Sequence, residues 1–529
     1  MKRDLVIGID CSTTAAKAVV WDRHGRAIAE GRVPLARTAP QPGWGEQDPT
    51  DWWRAVVTAV SAASRQVDAK RVASLCVTHQ RETFVCLDAD GAAIRPAMLW
   101  LDTRATDEIA AHGSARVHAV TGKPPNTATS WFKLLWLQRH EQRVLDRTRW
   151  VAEVHAYLVH RMTGHWRTSH GSVDPLGVLD MQTFALDADL LAQAGLQPHQ
   201  IPEIHAPGAV LGGLLDEVAE RMGLTPGLPV VAGLGDGQAA GLGAGITAPG
   251  AAYLNLGTGI VSGTFSADYR WGNEFRTMSG AIPGTYMPET FIGGGTLNVA
   301  WFVERFSDIP ARPFGLDVSA EQVMEAAAAS IPVGSDGLLA LPYLTGALAP
   351  YWDGNARGVF FGLSPQHGKA HLYRALLEGL AMEQRLSTTG VEQALGAPID
   401  CLRVMGGGSR SPLWCQIIAD VLRRPVEVTR ETETTCLGAG MLAAVGAGLH
   451  ANLTEAASCM SGVGRTFRPD EPTSLAYDRF YEIYRQLYPR LRDSFAQLQA
   501  ALKHAPPEQP SLKQAAPDKL SVNRPGPSA

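Results

Sequence analysis

The sequence predicts an α/β protein made of two halves of related architecture, and three observations carry this prediction. Two apolar hairpins, at residues 5–21 and 253–264, each have a tight turn of small residues at the tip. In both halves, short apolar runs alternate with longer stretches that have helical spacing. The composition, 45% hydrophobic and 19% charged over 529 residues, is that of a globular chain long enough to bury more than one core.

The first half opens with a hairpin. Its apolar runs, 5–9 and 16–21, flank a turn that contains Ser12, Thr13 and Thr14. The later elements of this half follow from the hydrophobic period and the side-chain type. Strands are predicted at 72–78 and 83–88, and helices at 49–67 and 130–145.

The second half repeats the hairpin and then alternates helices with a strand. Its apolar runs, 253–256 and 260–264, flank Gly257, Thr258 and Gly259. The remaining elements have the spacing of amphipathic helices or a short buried strand. Helices are predicted at 299–306, 319–329, 372–386 and 411–422, and a strand at 425–429.

The two hairpins can be aligned residue by residue. With Thr13 placed on Thr258, Asp10 falls opposite Asn255. The match suggests a duplicated architecture with a boundary near residues 247–250. Coincidence between two short apolar hairpins is the open alternative.

The charge balance argues against a nucleic-acid partner. The formal net charge is −5, and the chain has no run of Lys and Arg, whereas non-specific nucleic-acid binding needs a basic surface. The seven cysteines have neither CxxC pairing nor zinc-ligand spacing, so we expect reduced thiols.

The chain contains one stretch that resembles a membrane span only in length. Residues 237–267 carry no charged side chain, but their glycines, Pro249 and hydroxyl groups oppose a spanning helix, and no membrane partner is expected. The apolar run of the N-terminus is too short for a signal peptide, which predicts a cytoplasmic location. Residues 504–529, rich in Pro, Gln, Lys and Ser, are predicted to be disordered.

The first hairpin turn carries groups suited to phosphate binding. Backbone N–H groups and hydroxyls in a tight curve, here at Ser12, Thr13 and Thr14, form the kind of nest that receives phosphate oxygens, and Lys17 adds a positive charge. Asp10, at the end of the preceding strand, would suit Mg²⁺, which prefers a carboxylate together with substrate phosphates. A turn-capping role is the alternative for Asp10.

Asp236 lies between an apolar strand and a helix of small residues, in the segment LPVVAGLGDGQAAG at 228–241. The helix dipole there favours the carboxylate. From these residues alone, a helix N-cap is the simpler interpretation and catalysis the alternative. The surrounding glycines lack the acidic partner of a dinucleotide site, and the chain has no GxxxxGK[ST] motif, so a P-loop is not predicted.

Several further segments resemble the FGGY family of carbohydrate kinases, and its xylulokinase branch in particular. The likeness extends over nearly the whole chain to about residue 500, with the motifs in the family's order. The segments are GWGEQDP at 43–49, LWLDTR at 99–104, SWFKLLWL at 130–137, GVFFGL at 358–363, ALLE at 375–378 and MGGGSRSPLW at 405–414.

The resemblance implies a pair of actin-like, ribonuclease-H-like (ASKHA) domains, with ATP and a small sugar or polyol in the cleft between them. Residues 1–248 would form the N-terminal domain, with the sugar site and the first phosphate loop. Residues 249–500 would form the C-terminal, ATP-binding domain. Mg²⁺ is the implied ion, and a homodimer is a possible assembly.

The resemblance also implies roles for single residues. Asp236 matches the family's catalytic base, and Asp10 and Asp236 would face the metal ion. By position, the first phosphate loop corresponds to Ser12, Thr13, Thr14 and Lys17, the second to Gly257, Thr258 and Gly259, and the adenosine site to Gly406, Gly407 and Gly408.

The implied acceptor site has a segment that resembles glycerol kinases, THQRET at 78–83, in which an Arg-Glu pair binds hydroxyls. Arg81 would donate and Glu82 would accept, while Trp100 would form an apolar wall and Gln238 a further substrate contact. A solvated ion pair at a strand end is the alternative for Arg81 and Glu82.

Three positions depart from the family pattern. Ser12 replaces the usual glycine of the first phosphate turn. Ala128 stands where glycerol kinases have Tyr, and Gly237 stands where glycerol kinases have Gln and xylulokinases have Asn. The acceptor site is therefore expected to match neither type in full.

The resemblance implies ATP-dependent phosphorylation of a hydroxyl of a small sugar or polyol, with a ketopentose such as xylulose or ribulose favoured. A glycerol or other polyol kinase is the alternative. A binding or regulatory protein that uses ATP to switch the domain angle is an alternative of another class, against which Asp236 argues, since a switch needs no hydroxyl base. A nicotinamide-dependent Rossmann oxidoreductase is the third.

Overall fold

The computed structural model describes residues 3–309 and 318–503. In chain order, the strands β1 to β23 are Leu5–Cys11, Ala15–Asp22, Ala27–Pro34, Glu46–Gln47, Val72–His79, Phe84–Leu87, Ala97–Met98, Trp150–Glu153, Arg167–Ser169, Leu179–Asp180, Ala185–Leu186, Glu203–His205, Val210–Gly213, Pro229–Val231, Gly250–Leu256, Ile260–Thr264, Arg276–Ser279, Tyr286–Ile292, Leu339–Leu341, Val359–Phe361, Ile399–Met405, Val426–Thr429 and Val463–Phe467. The helices α1 to α17 are Pro49–Ser64, Thr106–His112, Ala115–Thr121, Ser130–His140, Gln142–Arg147, Val154–Thr163, His170–Val173, Ala188–Gln193, Asp216–Met222, Asp236–Gly243, Thr296–Phe306, Ala320–Ala329, Lys369–Leu395, Pro412–Leu422, Thr434–Gly446, Leu453–Met460 and Glu471–Lys503.

The first large sheet has the strand order β13, β14, β5, β1, β2, β3. Its central strand β1 is antiparallel to β2 and parallel to β5. Because side chains alternate along a strand, Ile7 and Ile9 share a core with α1 and α6, while Val6 packs on the opposite face. That opposite face is covered by α15, whose Cys436 carbonyl would lie 1.9 Å from a Cβ at Gly8.

The second large sheet repeats this arrangement, with the order β17, β18, β16, β15, β21, β22, β23. Its central strand β15 is antiparallel to β16 and parallel to β21, as β1 is to β2 and β5. The duplicated architecture expected from the two hairpins is confirmed. The antiparallel central pair also excludes the parallel sheet of a Rossmann oxidoreductase.

Two helices join the halves. Helix α10 follows the first sheet and packs against both sheets: Ala239 and Leu242 share a core with Val6 of the first, and Ala240 and Ala244 share a core with Tyr253 of the second. Helix α15 follows the second sheet but packs on the first. The two helices touch through glycine, since a Cβ at Gly243 would lie 2.0 Å from the Thr434 carbonyl oxygen. This crossing places the beginnings of both helices near the end of β1.

Most predicted elements lie where the sequence places them. Ser319 and Ser411, predicted as the first residues of two helices, are instead the N-caps of α12 and α14, which begin one residue later. The predicted helix at 372–386 is part of the longer α13. The single helix predicted at 130–145 is wrong, because Glu141, with φ −134°, separates α4 from α5.

The charge-free segment 237–267 forms α10, β15 and β16 rather than one helix. Within residues 3–309 and 318–503, no helix has the length and apolar character needed to cross a membrane. The seven cysteines are free thiols, as predicted. The segment 504–529, predicted to be disordered, lies outside the described residues.

Candidate active site

The first hairpin turn lies at the carboxyl end of β1. The backbone N–H and the hydroxyl of Ser12 both donate to the Ala15 carbonyl oxygen, each at 2.9 Å. Thr14 is exposed at the tip. Ser12 therefore closes the turn through its own side chain, at the position where the family pattern has glycine.

Thr13 joins this turn to the predicted acceptor segment. Its hydroxyl donates to Gln80 Oε1 at 2.8 Å and accepts from the indole N–H of Trp100 at 2.9 Å. Its carbonyl oxygen accepts from Gln47 Nε2 at 2.7 Å. Trp100, predicted as an apolar wall, thus also fixes the first hairpin turn. Gln47 and Gln80 are further contacts of this turn that were not predicted.

Asp10 ends β1 beside the turn, and its Oδ1 is shielded from solvent without a hydrogen-bond partner among the described residues. Burial raises the pKa of Asp10 well above its ordinary value, and repulsion from Asp236 and Glu433 adds to this effect. Lys17 opposes it. A carboxylate that lacks a partner and is repelled by two others fits a site for a cation.

Lys17 lies opposite Asp10 in the β1–β2 register. Its ammonium group is 2.8 Å from Glu433 and 3.4 Å from Glu30. The positive charge predicted for a phosphate is therefore already paired with carboxylates. Glu433, the residue before α15, is a member of this cluster that the sequence analysis did not identify.

Asp236 is the first residue of α10, and 41% of its side chain is exposed. Its Oδ1 accepts from Arg81 Nε at 2.8 Å and from the Gly237 backbone N–H at 2.7 Å. Both contacts use the same oxygen, so Oδ2 takes part in neither. The side chain is thus held in place and still accessible.

Arg81 and Glu82 are both buried, which contradicts the solvated ion pair considered as their alternative. They bind other residues rather than each other. Arg81 Nη1 lies 3.0 Å from Glu289, and Arg276 Nη1 donates to Glu82 at 2.6 Å. Glu82 also has a positive φ of 52°, an unusual backbone conformation for a residue with a side chain.

Glu289 is the centre of this buried network, and it was not predicted. It accepts from Arg81, Arg276 and the Tyr253 hydroxyl. Burial opposes its ionisation, but the two arginines prevail and lower the pKa of Glu289 to about 2. A lone carboxylate within the apolar strand Tyr286–Ile292 is the sequence signal that could have identified it.

The second hairpin turn packs against the beginning of α11. The Thr258 carbonyl oxygen accepts from the Gly295 backbone N–H at 2.8 Å, and the Gly257 carbonyl oxygen accepts from the Thr296 N–H at 2.8 Å. The glycine cluster, Gly406, Gly407 and Gly408, follows β21. A Cβ at Gly406, which has φ 84°, would lie 2.4 Å from Asn255 Oδ1.

The three glycines of that cluster differ in their surroundings. A Cβ at Gly408 would lie 2.6 Å from the Trp414 ring, whereas a Cβ at Gly407 would meet no atom within 4 Å. Gly406 and Gly408 are therefore required for packing. Gly407 borders open space, where the sequence predicts adenosine.

Gln238 has no exposed surface, and its amide donates to the Gly171 carbonyl oxygen at 3.0 Å. In this structure the Gln238 amide binds the backbone of α7, and its contact with substrate stays a prediction. Among the described residues, no group of three or more His, Cys, Asp or Glu could hold a metal.

A cavity of about 400 Å³ lies away from these residues. It is bordered by the end of α10, by Arg403 and Glu427 of the second sheet and by α16. The predicted site residues are not part of its lining.

Comparison with known families and relatives gives a consistent result. The N-terminal domain model of the FGGY family of carbohydrate kinases matches residues 5–243, and the C-terminal domain model matches residues 252–447. Xylulose kinase of Escherichia coli (strain K12) is 31% identical over 92% of this chain and 99% of its own length.

Two further similar proteins have different names, a glycerol kinase and a xylulose kinase. Glycerol kinase of Aromatoleum aromaticum is 33% identical over 86% of this chain and 92% of its own length. The crystal structure of xylulose kinase from Rhodospirillum rubrum superposes with a TM-score of 0.86 at 30% identity, over 93% of this chain and all (100%) of that one. The actin-like kinase fold expected from the sequence is thus confirmed.

Proposed function

Because the chain belongs to the FGGY family of carbohydrate kinases and is a phosphotransferase enzyme, we propose that it transfers the γ-phosphoryl group of ATP to a hydroxyl of a ketopentose such as xylulose or ribulose. The observation that carries this proposal is the geometry of Asp236. Its carboxylate is held through Oδ1 by Arg81 and remains partly exposed at the beginning of α10. A carboxylate fixed by one oxygen can accept a proton on the other.

In the proposed reaction, the acceptor oxygen bonds to the γ-phosphorus while the bond from that phosphorus to the β,γ-bridging oxygen breaks. The electron pair leaves with ADP, and Asp236 takes the hydroxyl proton. Phosphoryl transfer needs little covalent chemistry from the protein, so positioning and charge compensation provide most of the catalysis.

The two hairpin turns would bind the phosphates of ATP. Ser12, Thr13 and Thr14 form the first loop, and the turn Gly257–Thr258–Gly259 forms the second. Adenosine would lie along the glycine cluster, in the open space beside Gly407. This assignment gives residues 1–248 the acceptor site and the first loop, and residues 249–500 the nucleotide site.

Asp10 and Asp236 would hold Mg²⁺ together with phosphate oxygens and water. The unpartnered Oδ1 of Asp10 and the repulsion between the two carboxylates support this fit. When bound, the ion would neutralise charge on the phosphates. Lys17 would balance Glu433 in this cluster rather than bind phosphate directly.

Arg81, Glu82 and Trp100 would bind the acceptor. Arg81 already donates to Asp236, and Glu82 already accepts from Arg276. Substrate hydroxyls would therefore bind to the N–H groups of Arg81 and the lone pairs of Glu82 that these contacts leave free. Closure of the two halves over the acceptor would exclude water, which is a competing nucleophile.

A glycerol or other polyol kinase is the second candidate. The Arg81–Glu82 segment and the 33% identity to a glycerol kinase favour it. The two candidates differ in the size of the acceptor and share the proposed base.

A panel of ketoses and polyols, tested with ATP and Mg²⁺ and coupled detection of ADP, decides between them. We expect slow ADP release without acceptor and strong stimulation by a ketopentose. Stimulation by glycerol alone would favour the second candidate. Equal rates with and without every acceptor would contradict the proposal.

A further inference from the structure

We propose that Glu289 is a positioning residue for Asp236, acting through Arg81, and that it links the catalytic base to the second half of the molecule. The inference rests on the proposed function, because it assigns a purpose to the contact between Arg81 and the proposed base.

Both carboxylate oxygens of Glu289 accept hydrogen bonds. Its Oε2 accepts from Arg81 Nη1 at 3.0 Å and from the Tyr253 hydroxyl at 2.6 Å. Its Oε1 accepts from Arg276 Nε at 2.8 Å. The side chain is fully buried, so each of these contacts is made without competition from water.

Arg81 has one planar guanidinium and two carboxylate partners. Nη1 is bound by Glu289, and Nε donates to Asp236 at 2.8 Å. Because the group is planar, fixing one edge fixes the direction of the other N–H donors. Without Glu289, the buried arginine would keep Asp236 as its one hydrogen-bonded carboxylate in this network and would be free to rotate towards it.

The backbone on either side of Asp236 packs closely against Arg81 and Glu289. A Cβ at Gly237 would lie 2.6 Å from Glu289 Oε2 and 2.7 Å from Arg81 Nη2. A Cβ at Gly235 would lie 2.4 Å from Arg81 Cγ. The first turn of α10 therefore rests directly on the Arg81–Glu289 pair, with no room for a side chain between them.

The network crosses from one half of the molecule to the other. Asp236, Arg81 and Glu82 belong to the first half, whereas Tyr253, Arg276 and Glu289 lie on strands of the second sheet. Arg276 and Glu289 are direct partners in the β17–β18 register, and Arg276 continues to Glu82. A displacement of the second sheet would thus be transmitted to the base and to the acceptor segment together.

The test is Glu289→Gln, which keeps the shape of the side chain and removes its charge. We expect kcat to fall about 10- to 100-fold, because a small displacement of a catalytic group has effects of this size. The KM for ATP should change less than about twofold, since neither Glu289 nor Arg81 hydrogen-bonds to the two hairpin turns or to the glycines at 406–408. Tyr253→Phe, which removes one hydrogen bond to the same oxygen, should reduce kcat by a smaller factor.

The chain offers a matched control in Glu378. This buried carboxylate also binds an arginine and a tyrosine, Arg374 at 2.9 Å and Tyr477 at 2.8 Å, but lies in α13 away from the base. Glu378→Gln should lower thermal stability while leaving the kcat of the folded protein unchanged. Comparison of the two variants separates the effect of losing a buried ion pair, which lowers thermal stability, from the effect of losing the positioning of the base, which lowers kcat.

A double variant tests whether Glu289 acts through Arg81. If it does, Glu289→Gln combined with Arg81→Lys should be no more than about threefold slower than Arg81→Lys alone. Folded Glu289→Gln with wild-type kcat, or losses that multiply in the double variant, would overturn the inference. An inactive wild-type enzyme on every acceptor would instead refute the proposed function.

Discussion

The indole N–H of Trp100 donates to the hydroxyl of Thr13 at 2.9 Å. This contact joins a residue expected to face the acceptor to the turn expected to bind phosphate. Because the Thr13 hydroxyl also donates to Gln80 Oε1, the two proposed binding regions share one chain of hydrogen bonds.

Trp100→Phe should separate these two roles. Phenylalanine keeps an apolar ring but loses the donor, so the KM for ATP should rise about fivefold, the effect of one hydrogen bond of about 1 kcal/mol. The KM for the acceptor should change little. Steady-state kinetics with each substrate varied provides the measurement. Trp271→Phe, in which the replaced ring is 46% exposed, should change neither constant. An unchanged KM for ATP in Trp100→Phe would show that the contact does not fix the phosphate turn.

Gly407→Ala tests the adenosine site. A methyl group at this position meets open space in the free protein, so the thermal unfolding midpoint should not change. In the complex it would enter space assigned to adenosine, and the KM for ATP should rise about tenfold, as expected for overpacking.

Gly354→Ala is the control for this variant, because a Cβ at Gly354 also meets no atom within 4 Å. Neither its stability nor its KM for ATP should change. If the two alanine variants have the same KM for ATP as the wild type, adenosine binds elsewhere.

The buried side chain of Lys133 should make the free energy of unfolding depend on pH. Burial lowers the pKa of this lysine to about 7, against the opposing effect of Glu82 and Asp102, while in the unfolded chain it is about 10.4. Between pH 7 and 10.4 the lysine is protonated in more of the unfolded molecules than of the folded ones. Its contribution to the free energy of unfolding therefore rises with pH above about 7.

Relative to Lys133→Met, the wild-type free energy of unfolding should therefore increase by about 1–2 kcal/mol between pH 7 and 8.5, measured by urea denaturation. Replacement of the exposed Lys70 by Met should give a curve parallel to the wild type. Parallel curves for wild type and Lys133→Met would mean that Lys133 is charged in the folded protein.

Local signals predicted most of the fold. The turn residues of both hairpins determine backbone geometry within a few residues, and the helices predicted to begin at Ser319 and Ser411 begin within one residue of these positions. The end of α13 could not be predicted, because Ser387 and Thr388 are weak helix formers that are buried in the tertiary structure. The packing of α10 between the two sheets and of α15 on the first sheet likewise depends on contacts distant in sequence.

Residues of the candidate site could be named from the sequence where one motif contains them. Asp236 follows a strand and glycines, and its role as base stays a prediction from the resemblance, whereas Arg276 and Glu289 become neighbours only through the pairing of β17 with β18. Lys17 shows the converse: its position predicts a phosphate ligand, which stays a prediction, but the sequence does not indicate that it pairs with Glu433, more than 400 residues away. Buried charges of this kind need partners that the sequence alone does not locate.

The most direct test of the account is rapid-quench measurement of phosphoryl transfer by Asp236→Asn, with saturating ATP, Mg²⁺ and the best acceptor of the panel. We expect transfer to be slowed about 10²- to 10⁴-fold, the contribution of a general base, while ATP affinity and thermal stability stay close to the wild type. Transfer at the wild-type rate by a folded Asp236→Asn enzyme would contradict the assignment of Asp236 as the base.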